Sequence, residues 1–398
     1  MTPLLIRDAR VATMTETGVL EHADVLTRDG TIAAIGTDLD EDPGGANARV
    51  IEARGRIVMP GFVDCHTHAC WAGSRLDEWQ AKLAGASYLE LLEAGGGIMS
   101  TVRAVREAPA VRLTEDLLAR LDTALRHGTT TIEIKSGYGL DTQTELKMLD
   151  AIADAAERWA GTIVPTALLG HAIDPDQPNF IERTIRETLP AVSERYPGIA
   201  VDAYCERGAW SVADCVRLFE KAIELGHPVR VHADQFNSLG MIGEAVRLGA
   251  RSVDHLEAST PEDLRVLAES GAFGVVLPCA GLHLDDRYAD ARALLDAGGR
   301  VAIATNRNTG SAPCPSMPMT IALACRKNGL APSEAIDAAT RAPAELLGFG
   351  DRGVIRVGAR ADLIVLDHTD ERDLAFEFGS NPVRRVFVAG REVDTARA

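Results

Sequence analysis

Two histidines that could share one metal ion, His66 and His68, follow the short apolar run 61–64. Side chains alternate in an extended strand, so residues two positions apart face the same way. Neutral imidazole nitrogens are good ligands for zinc and iron. A His-x-His spacing alone is weak evidence, because a pair of exposed or hydrogen-bonded histidines gives the same pattern.

Other polar residues also stand at the ends of apolar runs. His171 follows the third run, His232 ends the fifth, His255 ends the sixth, and Asn306 follows the eighth. In a barrel of parallel strands, the carboxyl ends of all strands meet at one face, where active sites lie. We therefore expect these side chains to gather with His66 at one site.

The elements that must position these residues follow a regular alternation. Between about residues 60 and 305, short apolar runs are separated by longer segments with apolar residues at helical spacing. Eight such alternations predict an α/β fold with a closed (β/α)8 TIM-type barrel. The eight runs are 61–64, 130–134, 163–168, 200–204, 229–232, 251–255, 274–277 and 301–305.

In contrast to the central region, both ends of the chain have sequence patterns typical of β-strands without intervening helices. Residues 24–36 contain two β-rich runs joined by Asp-Gly, which is a strong hairpin signal. The segments 361–367 and 383–393 are similar in character. We predict that the two ends form one small β-sandwich domain. The predicted units are residues 1–57 and 346–398 for this domain and residues 58–345 for the barrel.

The composition limits the partners of the protein. The formal charge is −17, from 58 acidic and 41 basic residues, and it opposes binding to nucleic acids or anionic membranes. No apolar run is long enough to span a bilayer, and the N-terminus lacks the pattern of a signal peptide. Seven cysteines without paired spacing fit a reducing compartment. We expect a cytoplasmic protein that acts on a small molecule.

Several motifs resemble one enzyme family. The segment 60–68, Pro-Gly-Phe-Val-Asp-Cys-His-Thr-His, resembles the opening motif of the amidohydrolase superfamily, and 361–367 resembles its closing strand. Within that superfamily the resemblance is to the imidazolonepropionase family, and it extends from about residue 4 to 390. The segments that carry it are 72–75, 83–88, 94–98, 133–140, 232–235, 254–257 and 316–318.

The resemblance implies a reaction and a set of roles. The family opens the ring of imidazolonepropionate with water, gives N-formimino-L-glutamate in histidine degradation, and tends to form homodimers. By resemblance, one Zn or Fe ion is bound by His66, His68 and His232. The substrate, which carries a propionate carboxylate suited to an arginine fork, is bound by Arg75, Tyr138, His171, Asn308, Gly310 and Ser311. Gln235 and His255 lie beside the hydrolytic water and the ring oxygen.

One position departs from the family pattern at the centre of the site. Asn306 stands where the family has an aspartate that binds the metal and takes a proton from water. An amide cannot accept that proton near neutral pH, although the reaction needs a base. Arg307, Thr309 and Cys279 are further changes nearby. Because these changes cluster, we favour weakened or absent metal binding.

Three interpretations of this centre follow. In the first, the histidines hold a metal and His255 is the base. In the second, the barrel hydrolyses a related ring, such as a thiohydantoin propionate, without metal. Cys279 is then the nucleophile, with a thiolate favoured by Arg307. In the third, the protein is a non-catalytic relative that binds a small ligand.

Overall fold

The structure is a computed structural model that describes residues 2–40, 47–85 and 96–394. The family-like segments 83–88 and 94–98 therefore lie partly outside the described residues. Two sheets of eight strands each organise the described chain. The strands are β1 (Leu4–Ala12), β2 (Val19–Arg28), β3 (Thr31–Gly36), β4 (Arg49–Glu52), β5 (Ile57–Pro60), β6 (Phe62–Asp64), β7 (Thr129–Lys135), β8 (Thr162–Gly170), β9 (Ala200–Cys205), β10 (Val231–Ala233), β11 (Ser252–His255), β12 (Phe273–Val276), β13 (Arg300–Ile303), β14 (Leu363–Leu366), β15 (Val383–Val388) and β16 (Arg391–Val393).

The central sheet consists of β6 to β13 in chain order, and every neighbouring pair is parallel. Its two ends approach each other just beyond the strands. The Asn306 backbone N–H donates to the His66 carbonyl at 3.1 Å, and the Thr305 N–H donates to the Asp64 carboxylate at 3.2 Å. The predicted (β/α)8 barrel is thus confirmed, with a strand at each of the eight apolar runs.

Helices cover the outside of the barrel. They are α1 (Leu76–Leu83), α2 (Ile98–Glu107), α3 (Ala110–Arg126), α4 (Thr142–Arg158), α5 (Phe180–Arg183), α6 (Leu189–Arg195), α7 (Val212–Glu224), α8 (Met241–Arg247), α9 (Pro261–Ser270), α10 (Pro278–Leu284), α11 (Ala291–Asp296), α12 (Met317–Lys327), α13 (Pro332–Asp337), α14 (Arg341–Leu346) and α15 (Asp373–Phe376), with a π-helical turn at Thr184–Thr188. In α3, Leu113, Leu117 and Leu121 recur every fourth residue and are buried against the barrel. The Asp141 side chain caps α4 by accepting the Thr144 N–H at 2.7 Å.

The second sheet joins the two ends of the chain. Its strand order is β16-β15-β14-β5-β1-β2-β3, with β4 paired to β1. Strand β5 pairs with both β1 and β14, so it connects the first and last parts of the sheet. The sheet therefore extends to Pro60, and the first barrel strand begins at Phe62. A Cβ atom on Gly61 would lie 2.3 Å from Thr130 Oγ1, so the chain passes this junction only with glycine.

This sheet has an apolar core of its own. Ile6, Val25, Leu363 and Phe387 are fully buried within it. Burial of apolar surface is the main stabilising contribution in such a core. Among the helices of the described ranges, none is both long and apolar enough to cross a membrane.

Candidate active site

Four histidines from three strands meet at the carboxyl end of the barrel. His66 and His68 directly follow β6, while His232 and His255 lie at the ends of β10 and β11. The Nε2 atom of His68 lies 3.2 Å from that of His66 and 3.3 Å from that of His232. Ring nitrogens of His66, His232 and His255 all lie within 4.8 Å of one another. The structure thus brings together the three predicted metal ligands and places His255 beside them.

Two buried aspartates fix how these rings are turned. His66 Nδ1 lies 2.6 Å from Asp254 Oδ2, and His232 Nδ1 lies 3.0 Å from Asp202 Oδ1. Because a carboxylate only accepts hydrogen bonds, each Nδ1 carries the proton and donates it. Each Nε2 lone pair therefore faces the centre of the cluster. Carboxylates behind histidine ligands are the usual outer partners of metal sites.

The three predicted metal ligands, His66, His68 and His232, are held in the neutral form that binds metals. Burial lowers the pKa of His66 well below its ordinary value, and the nearby Lys135 charge lowers it further. Burial and the neighbouring His171 do the same for the pKa of His68. The pKa of His232 is also lowered by burial, although Asp202 opposes the shift. At neutral pH these imidazoles are therefore uncharged, which is the form that binds a metal ion.

The spacing of the nitrogens fits one ion. Nitrogens bound 2.0–2.1 Å from a tetrahedral ion are about 3.3–3.4 Å apart, close to the distances from His68 to His66 and His232. The side-chain oxygen of Asn306, which lines the same cavity, is buried and has no hydrogen-bond partner among the described residues. A polar oxygen left unpaired in a buried site is free to face a cation. The residues present therefore fit a divalent metal ion, even with an amide at position 306.

Three residues at the carboxyl end of the barrel have backbone in the left-handed region. The φ angles of His255, Leu256 and Asn306 are 92°, 75° and 54°. Positive φ is costly for residues with a side chain, and it is typically found where function requires a particular orientation. His255 Nδ1 lies 3.2 Å from Glu257 Oε1, which places the proton on Nδ1 and leaves Nε2 as an acceptor. His255 is thus arranged as a base supported by a carboxylate.

His68, His232 and His255 line a cavity of about 570 Å³. This volume is typical of a site for a small molecule. Every substrate-binding residue predicted from the sequence lines it, as do Gln235, His255 and Asn306. The lining also includes His68, His232, Gly97, Ile98, Tyr204, Glu206, Arg207, Phe236, Asn237 and Leu284.

The Arg75 guanidinium lines this cavity and is held in place by its neighbours. Its Nε lies 2.6 Å from Glu78 Oε1, and the Glu78 carboxylate also accepts hydrogen bonds from Gly97 N–H and Ser100 Oγ. A Cβ atom on Gly310 would lie 2.8 Å from Arg75 NH1, so a side chain there would displace the guanidinium. The guanidinium is therefore held between α1 and the loop after β13.

His171 and Tyr138 form the opposite wall. His171 Nδ1 lies 2.9 Å from the Gly137 carbonyl oxygen, to which it donates, so its Nε2 is left as an acceptor. Gly137 has a φ of 112° that favours glycine, and a Cβ there would lie 2.9 Å from the Leu168 carbonyl oxygen. The Tyr138 and His171 ring centroids are 5.0 Å apart. Burial lowers the pKa of His171 to about 3, so the ring is neutral.

Asn308 and Gln235, which were predicted to lie at the substrate, form hydrogen bonds with other residues of the protein. Asn308 donates to the Asn306 carbonyl at 2.7 Å and accepts the N–H groups of Gly310 and Ser311 at 2.8 and 2.6 Å. Its polar atoms shape the loop rather than point freely at a ligand. Gln235 accepts a hydrogen bond from the Tyr204 hydroxyl at 2.9 Å, which leaves its amide N–H groups for the cavity.

The placement of Cys279 is unfavourable for a nucleophile. Its Sγ contacts Thr320 Oγ1 at 3.4 Å in a buried apolar cluster, and it is not among the residues that line the cavity. The neighbouring Cys314 and burial raise the pKa of the Cys279 thiol well above its ordinary value. Arg307 does not face the cavity either, since its guanidinium donates to the Arg120 carbonyl at 2.5 Å. These observations contradict the expected thiolate, because a reactive cysteine needs a lowered pKa.

The sequence motifs predict no role for the acidic residues behind the histidines. Asp202 and Asp254 lie within apolar strand runs, as does Glu133. A charged residue inside an otherwise apolar strand is rare, because burying a charge is costly without a partner. That signal was present in the sequence. It did not reveal which histidine each carboxylate contacts.

Known proteins resemble this chain over nearly its whole length. The profile of the amidohydrolase family matches residues 57–393. An imidazolonepropionase of Herpetosiphon aurantiacus is 44% identical, over 98% of this chain and 93% of that protein. One of Chloroflexus aggregans is 40% identical, over 96% and 93%.

Solved structures with low sequence identity share the fold. A triazine hydrolase variant has a TM-score of 0.77 at 21% identity, over 98% of this chain and 94% of that one. An adenosine deaminase from Xanthomonas campestris with bound zinc has a TM-score of 0.74 at 21% identity, over 98% and 92%. The family match and the shared fold make this chain an amidohydrolase. Within this class, the chain belongs to the imidazolonepropionase family.

Proposed function

We propose that this protein hydrolyses imidazolonepropionate to N-formimino-L-glutamate, a step of histidine degradation. The observation that carries the proposal is one cavity with a histidine centre at its floor and Arg75 at its side. The named activity of relatives up to 44% identical supports the same substrate. In the reaction, water adds to the ring carbonyl carbon, the bond from that carbon to the ring nitrogen breaks, and the nitrogen takes a proton.

We propose that His66, His68 and His232 hold one zinc or iron ion, with the side-chain oxygen of Asn306 facing it. When bound, such an ion polarises a carbonyl group and makes water more acidic near neutral pH. Asp254 and Asp202 keep the Nδ1 protons of His66 and His232 in place, so that the Nε2 lone pairs stay available.

His255 is the residue we propose to move the proton. Its Nε2 accepts a proton from the attacking water and returns it to the leaving ring nitrogen. Glu257, which lies 3.2 Å from Nδ1, stabilises the ring while it is charged. Asn306 cannot replace it, because an amide does not accept protons near neutral pH. Gln235 donates a hydrogen bond from its amide to the oxygen that becomes negative in the transition state.

The remaining residues select the substrate. Arg75 binds the propionate carboxylate through its terminal nitrogens, because its Nε is already paired with Glu78. Tyr138 and His171 contact the ring from the opposite wall. Gly310 and Ser311 line the polar end, in a conformation set by Asn308.

We also propose that the protein works in the cytoplasm as a homodimer. All seven cysteines are free thiols, as expected in a reducing compartment. Light scattering coupled to size-exclusion chromatography gives the oligomeric state, and a monomeric mass would contradict the dimer.

The decisive experiment is turnover of imidazolonepropionate by the purified protein, with its metal content measured in parallel. We expect N-formimino-L-glutamate to form and activity to follow the occupancy of one metal per chain. His227 is a matched control for the histidines of the site. It is also buried, but it hydrogen bonds to the Ile199 carbonyl and does not line the cavity. His227→Gln should keep kcat.

Two results would contradict the proposal. Hydrolysis of the thiohydantoin analogue without metal, and none of imidazolonepropionate, would give the enzyme a different substrate. Tight binding of imidazolonepropionate by the metal-loaded protein with no product would remove the enzymatic function.

A further inference from the structure

Beneath the histidines lies a cluster of five buried charged residues, which we call the charge network: Glu133, Lys135, Asp202, Arg230 and Asp254. Their side chains are between 0 and 2% exposed. Lys135 Nζ lies 2.7 Å from Glu133 Oε1 and 2.8 Å from Asp202 Oδ2. Arg230 lies 2.8 Å from Asp254 Oδ2 and 3.4 Å from Glu133 Oε1. Cations and carboxylates thus alternate through the network.

Glu133 is the residue where the branches of the network meet. One of its oxygens receives both Lys135 and Arg230. The other accepts the backbone N–H of Thr67 at 3.0 Å, and Thr67 stands between His66 and His68. The Glu133 carboxylate is therefore linked to the segment that carries His66 and His68. It is also linked to Lys135 and Arg230, the cations that contact Asp202 and Asp254.

Each branch ends on the Nδ1 atom of a histidine. Lys135 occupies one oxygen of Asp202 and leaves the other for His232. Arg230 and Ser252 hold Asp254, whose Oδ2 also faces His66 Nδ1. Both aspartates are thereby kept in one orientation. The two rings they contact have their Nε2 atoms turned to the same point.

The charges of the network also suit a cation above it. Three carboxylates face two basic groups, so one negative charge is left next to the histidines. A buried ion network is a poor way to stabilise a fold, because well-packed apolar residues do as well or better. Because the charge network lies directly behind the histidines, we expect it to act on the site and not only on stability.

We propose that Glu133 is the positioning residue of the metal centre. Through Thr67, Lys135 and Arg230 it holds His66, His68 and His232 in the arrangement that binds the ion. This inference rests on the metal site of the proposed function, but it does not depend on the ring that is hydrolysed.

Zinc affinity of the metal-free protein, measured by competition with a chelator and without substrate, tests the inference. Glu133→Gln keeps the shape of the side chain and removes its charge. We expect zinc affinity to fall about 10- to 100-fold, the range seen when outer partners of metal ligands are changed. The visible spectrum of the cobalt-loaded variant should change as well, which a purely structural residue would not cause.

Asp362→Asn is the matched control. Asp362 is an equally buried carboxylate in the terminal sheet, where it accepts hydrogen bonds from Arg360 Nε at 3.0 Å and Ala389 N–H at 2.8 Å. It should lower the melting temperature but leave zinc affinity and the cobalt spectrum unchanged. An equal loss of affinity in both variants would overturn the inference, since the effect would then reflect general destabilisation.

If Glu133→Gln does not fold, Ser252→Ala tests the branch of the network that runs from Glu133 through Arg230 to Asp254. This variant keeps every charge and removes one hydroxyl, which accepts from Arg230 at 2.9 Å and donates to Asp254 at 2.6 Å. A loss of hydrogen bonding of this size predicts about 2- to 10-fold weaker zinc binding. Unchanged affinity in the folded variants, or no zinc binding by the wild type, would contradict the inference. Zinc binding without ring hydrolysis would contradict only the proposed reaction.

Discussion

The barrel mouth and the terminal sheet bury their side chains for different reasons. In the terminal sheet, the core is formed by apolar residues such as Ile6, Val25 and Phe387. At the mouth, the buried residues include four histidines and the charge network beneath them. Burying charged groups reduces stability unless each one is paired. Burial of apolar residues elsewhere in the fold offsets this cost. The buried polar groups at the mouth are therefore kept for chemistry.

The comparison predicts that substitutions at the mouth change the reaction, whereas those in the terminal sheet change stability. The largest effect is expected for His255→Gln. Loss of a general base lowers kcat by about 10²- to 10⁴-fold, with the melting temperature nearly unchanged. Steady-state kinetics and thermal melts check both parts. A variant with more than half of the wild-type kcat would show that another residue moves the proton.

Phe387→Ala tests the other region. It removes a fully buried ring from the terminal sheet, and the unfolding free energy should fall by about 3–5 kcal/mol. The kcat of the folded fraction should stay at the wild-type value, because the ring does not line the cavity. Denaturant titration and active-site counting give the two quantities. A reduced kcat in the folded protein would mean that the two regions are coupled.

Arg75→Lys separates substrate binding from chemistry at the mouth. A lysine keeps the charge but loses the two parallel donors of a guanidinium. Charged hydrogen bonds contribute about 1.5–3 kcal/mol, so KM should rise about 10- to 150-fold while kcat falls little. Arg158→Lys is the control, since Arg158 is an exposed residue paired with Glu115 and does not line the cavity. An unchanged KM would place the propionate group elsewhere.

The smallest effect is expected for an exposed ion pair of the terminal sheet. Arg384 NH1 lies 2.8 Å from Asp367 Oδ1, and both side chains are about half exposed. Such pairs contribute about 0–1 kcal/mol. Arg384→Gln should therefore change the melting temperature by only a degree or two and leave kcat and KM unchanged. A large loss of stability would show that this pair acts as part of a wider network.

The sequence by itself determined the order of strands and helices and the set of histidines at the strand ends. Apolar periodicity is a local property, so it is visible in the order of residues. The same logic predicted that His66, His68, His232 and His255 meet, because parallel strands of one barrel end at one face.

Only the tertiary structure decided which groups are partners. Asp254 contacts His66 across 188 positions of sequence, and Thr305 contacts Asp64 across 241. Such contacts exist only after the barrel closes, so no local pattern encodes them. For the same reason the sequence left Cys279 and Arg307 as candidates at the mouth. Packing turns Cys279 towards Thr320 on α12 and Arg307 towards the Arg120 carbonyl on α3.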